Sequence, residues 1–268
     1  MNKITISISA WMLFLWPALA QQPDDPKTID RVTSVPATQS PPTPSKTQSQ
    51  ASPQQKPQPT GAFSSILVPI KNLPVSSKWR EVYAAIKQAA FADCEPTSRC
   101  VPIAANLAQV IRDARQMPLV RKLTAINQSV NMLIAYKSDM ENYGELDFWA
   151  SPMQTLEHGS GDCEDYVILK VSALAAGGVP TNTMSMVVLM DVERQVFHAV
   201  LVVTARDGNY ILDNMSDDVV LDRKITDYLP LYSLSEDRYW LHGRERNDGR
   251  IAAPGAKIAE FSGDSAKR

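Results

Sequence analysis

Cysteine, histidine and aspartate together can attack a carbonyl, and this chain holds few enough of the first two for each position to be weighed. Of 268 residues, three are Cys and three are His. Cys94 and Cys100 are close in sequence and Cys163 stands alone, so an oxidising compartment pairs the first two and leaves the third as a free thiol. Cys163 follows Gly159-Ser160-Gly161-Asp162 and opens a stretch with Val167, Ile168, Val171 and Leu174 on one apolar face, stopped by Gly177-Gly178 with Pro180 beyond. That places it in the first turn of a buried helix, whose positive end favours a thiolate. Its backbone N–H is available to a developing oxyanion, and Gly159 and Gly161 are expected to leave room for a substrate backbone.

A base must come from His158, His198 or His242. His158 lies on the loop before the cysteine and His242 is followed by Gly243 and a charged run, so both are expected at the surface. His198 sits inside Val196-Phe197-His198-Ala199-Val200-Leu201, a strand pattern in which a polar ring needs a partner; a plain core histidine is the competing reading. Asp213 ends the following strand, Ile211-Leu212-Asp213. With residues 204–207 as a four-residue loop, His198 lies directly opposite Asp213, where an aspartate fixes the imidazole tautomer. A tighter turn at Asp207-Gly208 offsets the two by four residues and breaks the pairing.

Three- and four-residue apolar spacing predicts helices over 78–92, 103–115 and 119–136, with Pro102 and Pro118 before the last two and a short helix over 153–157. Beyond Pro180 the pattern becomes that of strands, over 184–190, 196–204 and 209–212, with one more within 229–241 around Tyr239 and Trp240. The fold class expected is α+β, N-terminal helices packed on an antiparallel sheet. Residues 1–20 carry Lys3, an apolar run and Ala18-Leu19-Ala20, and are read as a signal peptide; an uncleaved anchor is the alternative, the run being near the ~17–25 residues that span a bilayer. Residues 21–61, rich in Pro, Gln, Ser and Thr, are read as a disordered linker, 62–247 as the domain and 248–268 as a flexible tail. A net charge of −2 gives no reason to expect nucleic acid.

Trp149-x-x-Pro152, then Gly161-Asp162-Cys163-Glu164-Asp165-Tyr166, then His198-x-Val200-Leu201, then Leu212-Asp213-Asn214 resemble, in order and spacing, the bacterial transglutaminase-like cysteine proteinases, the LapG-type periplasmic proteases. The resemblance runs from about Trp79 to Trp240. It implies a papain-like or transglutaminase-like fold with Cys163, His198 and Asp213 as triad. It also implies a periplasmic protease that clips the N-terminal region of a large surface adhesin. An inner-membrane cyclic di-GMP receptor is the implied partner, sequestering the protease when the messenger is high. Asp162, Glu164 and Asp165 beside the thiol would oppose a thiolate, and similar proteins bind calcium through acids at this place; the competing reading is that Asp162 caps the helix and the others favour its positive end. Trp149 either lines the groove or is plain packing. A transglutaminase or amidase using the same three residues, or a non-catalytic peptide-binding module, are the rival functions.

Overall fold

The computed structural model describes residues 61–88, 90–95, 100–245 and 251–252. The expected signal peptide, the linker up to residue 60 and most of the tail lie outside them. Gly61, at the end of the expected linker, already donates its N–H to Ser65 O at 2.8 Å.

In chain order the elements are β1 (Ile66–Ile70), α1 (Ser76–Gln88), α2 (Pro102–Ala114), α3 (Leu119–Leu133), β2 (Ala135–Tyr136), α4 (Asp139–Asn142), α5 (Pro152–His158), β3 (Ser160–Gly161) and α6 (Cys163–Ala176). Then follow β4 (Met184–Asp191), β5 (Val196–Ala205), β6 (Gly208–Asp213), β7 (Ser216–Leu221), β8 (Tyr228–Ser235), β9 (Arg238–Glu245) and β10 (Ile251–Ala252). Local chemistry explains the boundaries. α2 begins on a proline, whose missing N–H costs nothing in a first turn. α5 has a capping box of Ser151 and Gln154, and Gly159 ends it in the left-handed region at φ 64°. α1 buries Trp79, Val82, Tyr83 and Ile86, one stripe at helical spacing.

The main sheet is antiparallel in the order β1-β9-β8-β4-β5-β6-β7. Its strands alternate: Met186, Ala199, Leu201, Val203, Tyr210 and Leu212 join the large core built with the helices. Val187, Leu189, Val200, Val202 and Ile211 join a smaller cluster with Phe63 and Tyr228 on the other face. α6 is buried for ten consecutive residues, Asp165 to Leu174, rather than along one face as the sequence pattern suggested. Truncating Ile168 or Leu169 there would cost about 2–5 kcal/mol.

Three departures from the sequence reading have local causes. The helix expected to reach 136 stops at Leu133, because Ala135 and Tyr136 pair in parallel with Ser160 and Gly161. The segment 229–241 holds two strands, β8 and β9, divided at Glu236, whose φ is 53°. β1 and β7 were not expected: β1 contains Pro69, tolerated because β1 is an edge strand, and β7 begins with the exposed Ser216, Asp217 and Asp218. Ile251 and Ala252, within the expected tail, pair with β9. Cys94 and Cys100 form a disulfide, as the cysteine spacing suggested, and Cys163 is free.

Candidate active site

Cys163 is the first residue of α6, partly buried, and its thiol donates to Glu164 Oε2 at 3.2 Å. Burial, then the Glu164 and Asp162 carboxylates, push the thiol well above its ordinary range, while the Ala199 backbone N–H beside the sulfur pulls the other way. Ala199 follows His198 on β5, so the start of α6 meets the strand that carries the candidate base.

His198 Nε2 bonds to Asp213 Oδ1 at 2.8 Å, and both side chains are buried. The hairpin register differs from both expectations. The loop is only Arg206-Asp207, and Ala205 pairs with Gly208 and Leu201 with Leu212. Asp213 is therefore displaced by two residues from the point opposite His198, which keeps the two on one face as diagonal neighbours within side-chain reach. Asp213 Oδ1 also accepts from Met215 N at 2.9 Å, and Oδ2 accepts from Tyr228 OH at 2.7 Å. Burial raises this carboxyl, but the bonds and charge from His198, with Met215 and Tyr228, outweigh it and hold Asp213 below the usual range. An ionised Asp213 only accepts, so Nε2 carries the imidazole proton and Nδ1 is left as the basic atom.

The other two histidines are told apart by burial. His158 is exposed and packs at a tilt against Tyr143, 5.0 Å between ring centroids. His242, expected at the surface, is buried: it faces into the fold from β9, with Nδ1 at 2.6 Å from Ser65 Oγ, and burial lowers it to about 4. The charged run that suggested exposure begins only at Arg244.

Asp162 is the N-cap of α6, yet its side chain makes no capping bond. It turns toward other acids instead. Asp139, Asp162 and Asp165 bring ligand oxygens within 4.8 Å of one another, as do Asp139, Asp147 and Glu164, and Asp162 and Glu164 with the Cys163 sulfur. The three acids expected from sequence are gathered, but around Asp139, which sequence reasoning missed. The local sequence signals only a helix start there, the capping box of Ser138 and Glu141 that opens α4 at Asp139, and the acids around it come from other segments.

Asp139 and Asp165 are buried, and Asp139 Oδ1, Asp162 Oδ1 and Asp165 Oδ2 have no partner among the described residues. Burial first, and neighbouring carboxylates second, raise Asp162, and burial with Asp162 and Asp139 raises Asp165 to about 8. Unpaired, mutually repelling oxygens of this kind fit a hard cation such as calcium.

Gly161 serves this cluster rather than a substrate backbone, and Gly159 ends α5 with its Cα face toward Ile103. A Cβ on Gly161 would lie 2.6 Å from Asp165 Cβ and 2.7 Å from Asp165 Oδ2, so the space is already filled. Asp165 is locked from its other side by the Ala150 N–H at 2.8 Å. Trp149 packs edge-on against Trp79 at 6.4 Å and donates to Asp147 Oδ1 at 2.9 Å. It also lines a pocket of about 360 Å³ with Lys78, Glu145, Asp147 and Gln154, so it is both packing and cavity wall.

A family model described as bacterial transglutaminase-like cysteine proteinase BTLCP matches residues 86–247 of the 268. Among solved structures, Legionella pneumophila LapG is 23% identical, covering 68% of this chain and 93% of that one at a TM-score of 0.48. Its calcium-bound form is 24% identical over 65% and 91%, at 0.49. No curated protein matches.

Proposed function

The chain belongs to the bacterial transglutaminase-like cysteine proteinases, and on that premise we propose a calcium-dependent endopeptidase of the periplasm with Cys163 as nucleophile, His198 as base and Asp213 as its orienting partner. The observation that carries this reading is the buried His198–Asp213 pair, bonded at 2.8 Å on the strand whose next N–H lies beside the Cys163 sulfur. The Cys163 sulfur attacks the peptide carbonyl carbon and its proton passes to His198 Nδ1. The C–N bond then breaks as that proton goes to the departing amine, leaving a thioester on Cys163. Water, giving a proton to His198, releases the acid and restores the thiol. The N–H groups at the start of α6 face the oxyanion.

Asp139, Asp162, Glu164 and Asp165 would hold calcium, whose charge offsets the carboxylates that oppose a thiolate at Cys163. Val196, Phe197 and Met215 are exposed beside His198 and Asp213 and supply apolar surface for an extended substrate segment. From the LapG-type resemblance of the motifs, the substrate is the N-terminal region of a large surface adhesin, cut to release the cell and disperse a biofilm. The partner is an inner-membrane cyclic di-GMP receptor with a periplasmic domain. The Cys94–Cys100 disulfide agrees with an oxidising compartment.

The test is to incubate the purified protein with an adhesin N-terminal fragment, with calcium or with chelator, and with a labelled amine present. Cleavage that needs calcium, without amine incorporation, supports the reading. Amine incorporation without cleavage would replace it with a transglutaminase.

A further inference from the structure

Just before β1, residues 61–65 form a strap to which the reaction above assigns nothing. Gly61 N–H reaches Ser65 O at 2.8 Å and Ser65 Oγ donates to Ala62 O at 2.7 Å, so the segment closes on itself. Ser65 Oγ also lies 2.6 Å from His242 Nδ1 on β9, and the Phe63 N–H donates at 2.9 Å to Asp222 Oδ2, an oxygen that Asn209 Nδ2 holds from β6 at 3.0 Å. Phe63 and Ser64 both stand at φ 56°, the left-handed region, which is costly for a bulky residue and persists only where its surroundings impose it. The turn has a specific outcome: Ser64 faces solvent and the Phe63 ring enters the smaller core.

There the Phe63 ring meets Tyr228 edge-on, 5.9 Å between centroids, and Tyr228 in turn meets the His198 ring edge-on at 6.0 Å. The Tyr228 hydroxyl donates to Asp213 Oδ2 at 2.7 Å, while Asp213 Oδ1 is bonded to His198 Nε2 at 2.8 Å. An unbroken series of contacts therefore runs from the strap to the imidazole. Two open pockets, of about 210 Å³ and 480 Å³, are both lined by Tyr228, so its ring is not held from every side and the direction of its hydroxyl depends on what does touch it. Besides His198, the ring against it is that of Phe63.

We propose that Phe63 is a positioning residue for the reaction above, on which reading the proposal rests: the strap holds its ring against Tyr228 and so aims the Tyr228 hydroxyl at Asp213, which keeps His198 in place. Phe63 touches neither substrate nor sulfur in this role. It acts through Tyr228, and the Asp222 and His242 contacts hold the strap that carries it.

The experiment follows, by NMR on the full chain, the downfield proton shared by His198 Nε2 and Asp213, alongside kcat and KM for adhesin-fragment cleavage. Phe63→Leu, which keeps the site apolar but removes the ring, is expected to move or broaden that resonance and to lower kcat about 5-fold, the order of one lost hydrogen bond, with KM within about 2-fold. In a Tyr228→Phe background, where no hydroxyl is left to aim, the same substitution should change kcat by less than about 2-fold. Val187→Ala truncates the same core cluster at a position opposite Ser233 rather than Tyr228, and should leave the resonance in place. A resonance unmoved in Phe63→Leu, or moved as far by Val187→Ala, would overturn the proposal, as would a Phe63→Leu effect on kcat undiminished in the Tyr228→Phe background. If Phe63→Leu does not fold, Phe63→Met, closer to the original volume, takes its place under the same outcomes. A wild type that cuts nothing counts against the protease reading; the resonance, which needs no turnover, still decides this one.

Discussion

Gly161→Ala puts one methyl group where the structure has no room. The added Cβ would sit 2.6 Å from Asp165 Cβ and 2.7 Å from its Oδ2. The near atom is a Cβ, fixed to the first turn of α6, so rotating the Asp165 side chain does not relieve the contact. Relief requires β3 and the start of α6 to separate by several tenths of an ångström. That strains the parallel pairing of Tyr136 with Gly161 and the Ala150 N–H bond to Asp165. Overpacking of this kind costs about 1–3 kcal/mol, which lowers Tm by roughly 3–9 °C for a domain of this size. The displaced Asp165 oxygen also leaves the acid cluster, so the rise in Tm on adding calcium should shrink. Thermal unfolding followed by circular dichroism, with calcium and with chelator, measures both effects. A Gly161→Ala protein melting within about 1 °C of wild type in both conditions would refute the reasoning.

Other outcomes follow from the same contacts. Asp139→Asn should abolish most of the Tm increase that calcium gives wild type, since stabilisation by a ligand scales with its affinity; differential scanning calorimetry over a calcium series checks this. Tyr228→Phe removes the hydroxyl that donates to Asp213 Oδ2 and should cost about 1–2 kcal/mol by urea unfolding, with a several-fold fall in kcat. His242 has its imidazole lowered to about 4, so the unfolded chain takes up a proton near 6.5 and the folded one does not until about 4. Its contribution is therefore fully present above about pH 6.5 and lost as pH falls toward 4, at most roughly 3 kcal/mol. Urea midpoints at pH 7 and pH 4.5 should fall less steeply in His242→Leu than in wild type; equal slopes would show that His242 does not titrate between the two states.

The helices, and the place of the free Cys163 at the start of one, were legible in the sequence because their signals are local: apolar residues every three or four positions, a proline at the start of α2, glycines after α5 and α6. The hairpin register was not, since it depends on where a short turn closes. The loop proved to be Arg206-Asp207, and the His198–Asp213 bond survived because the displacement is two residues, which preserves the face. β7 was hidden by its acidic exposed residues and β1 by Pro69, features that only an edge position explains. Asp139 escaped for a different reason: it is a charged residue whose burial is decided by segments distant in sequence, among them those that bring Asp162 and Asp165 beside it. His242 misled because a charged run begins two residues on, at Arg244, while its strand turns it inward.

The central claim is that Cys163 is a nucleophile served by His198 and Asp213. It is tested most directly by intact-protein mass spectrometry after incubation with a peptide that carries a thiol-reactive acyl group. One adduct is expected, mapping to Cys163, formed in calcium by wild type, absent in Cys163→Ala and slowed about 100-fold or more in His198→Ala. Labelling at the same rate in wild type and His198→Ala would contradict the account.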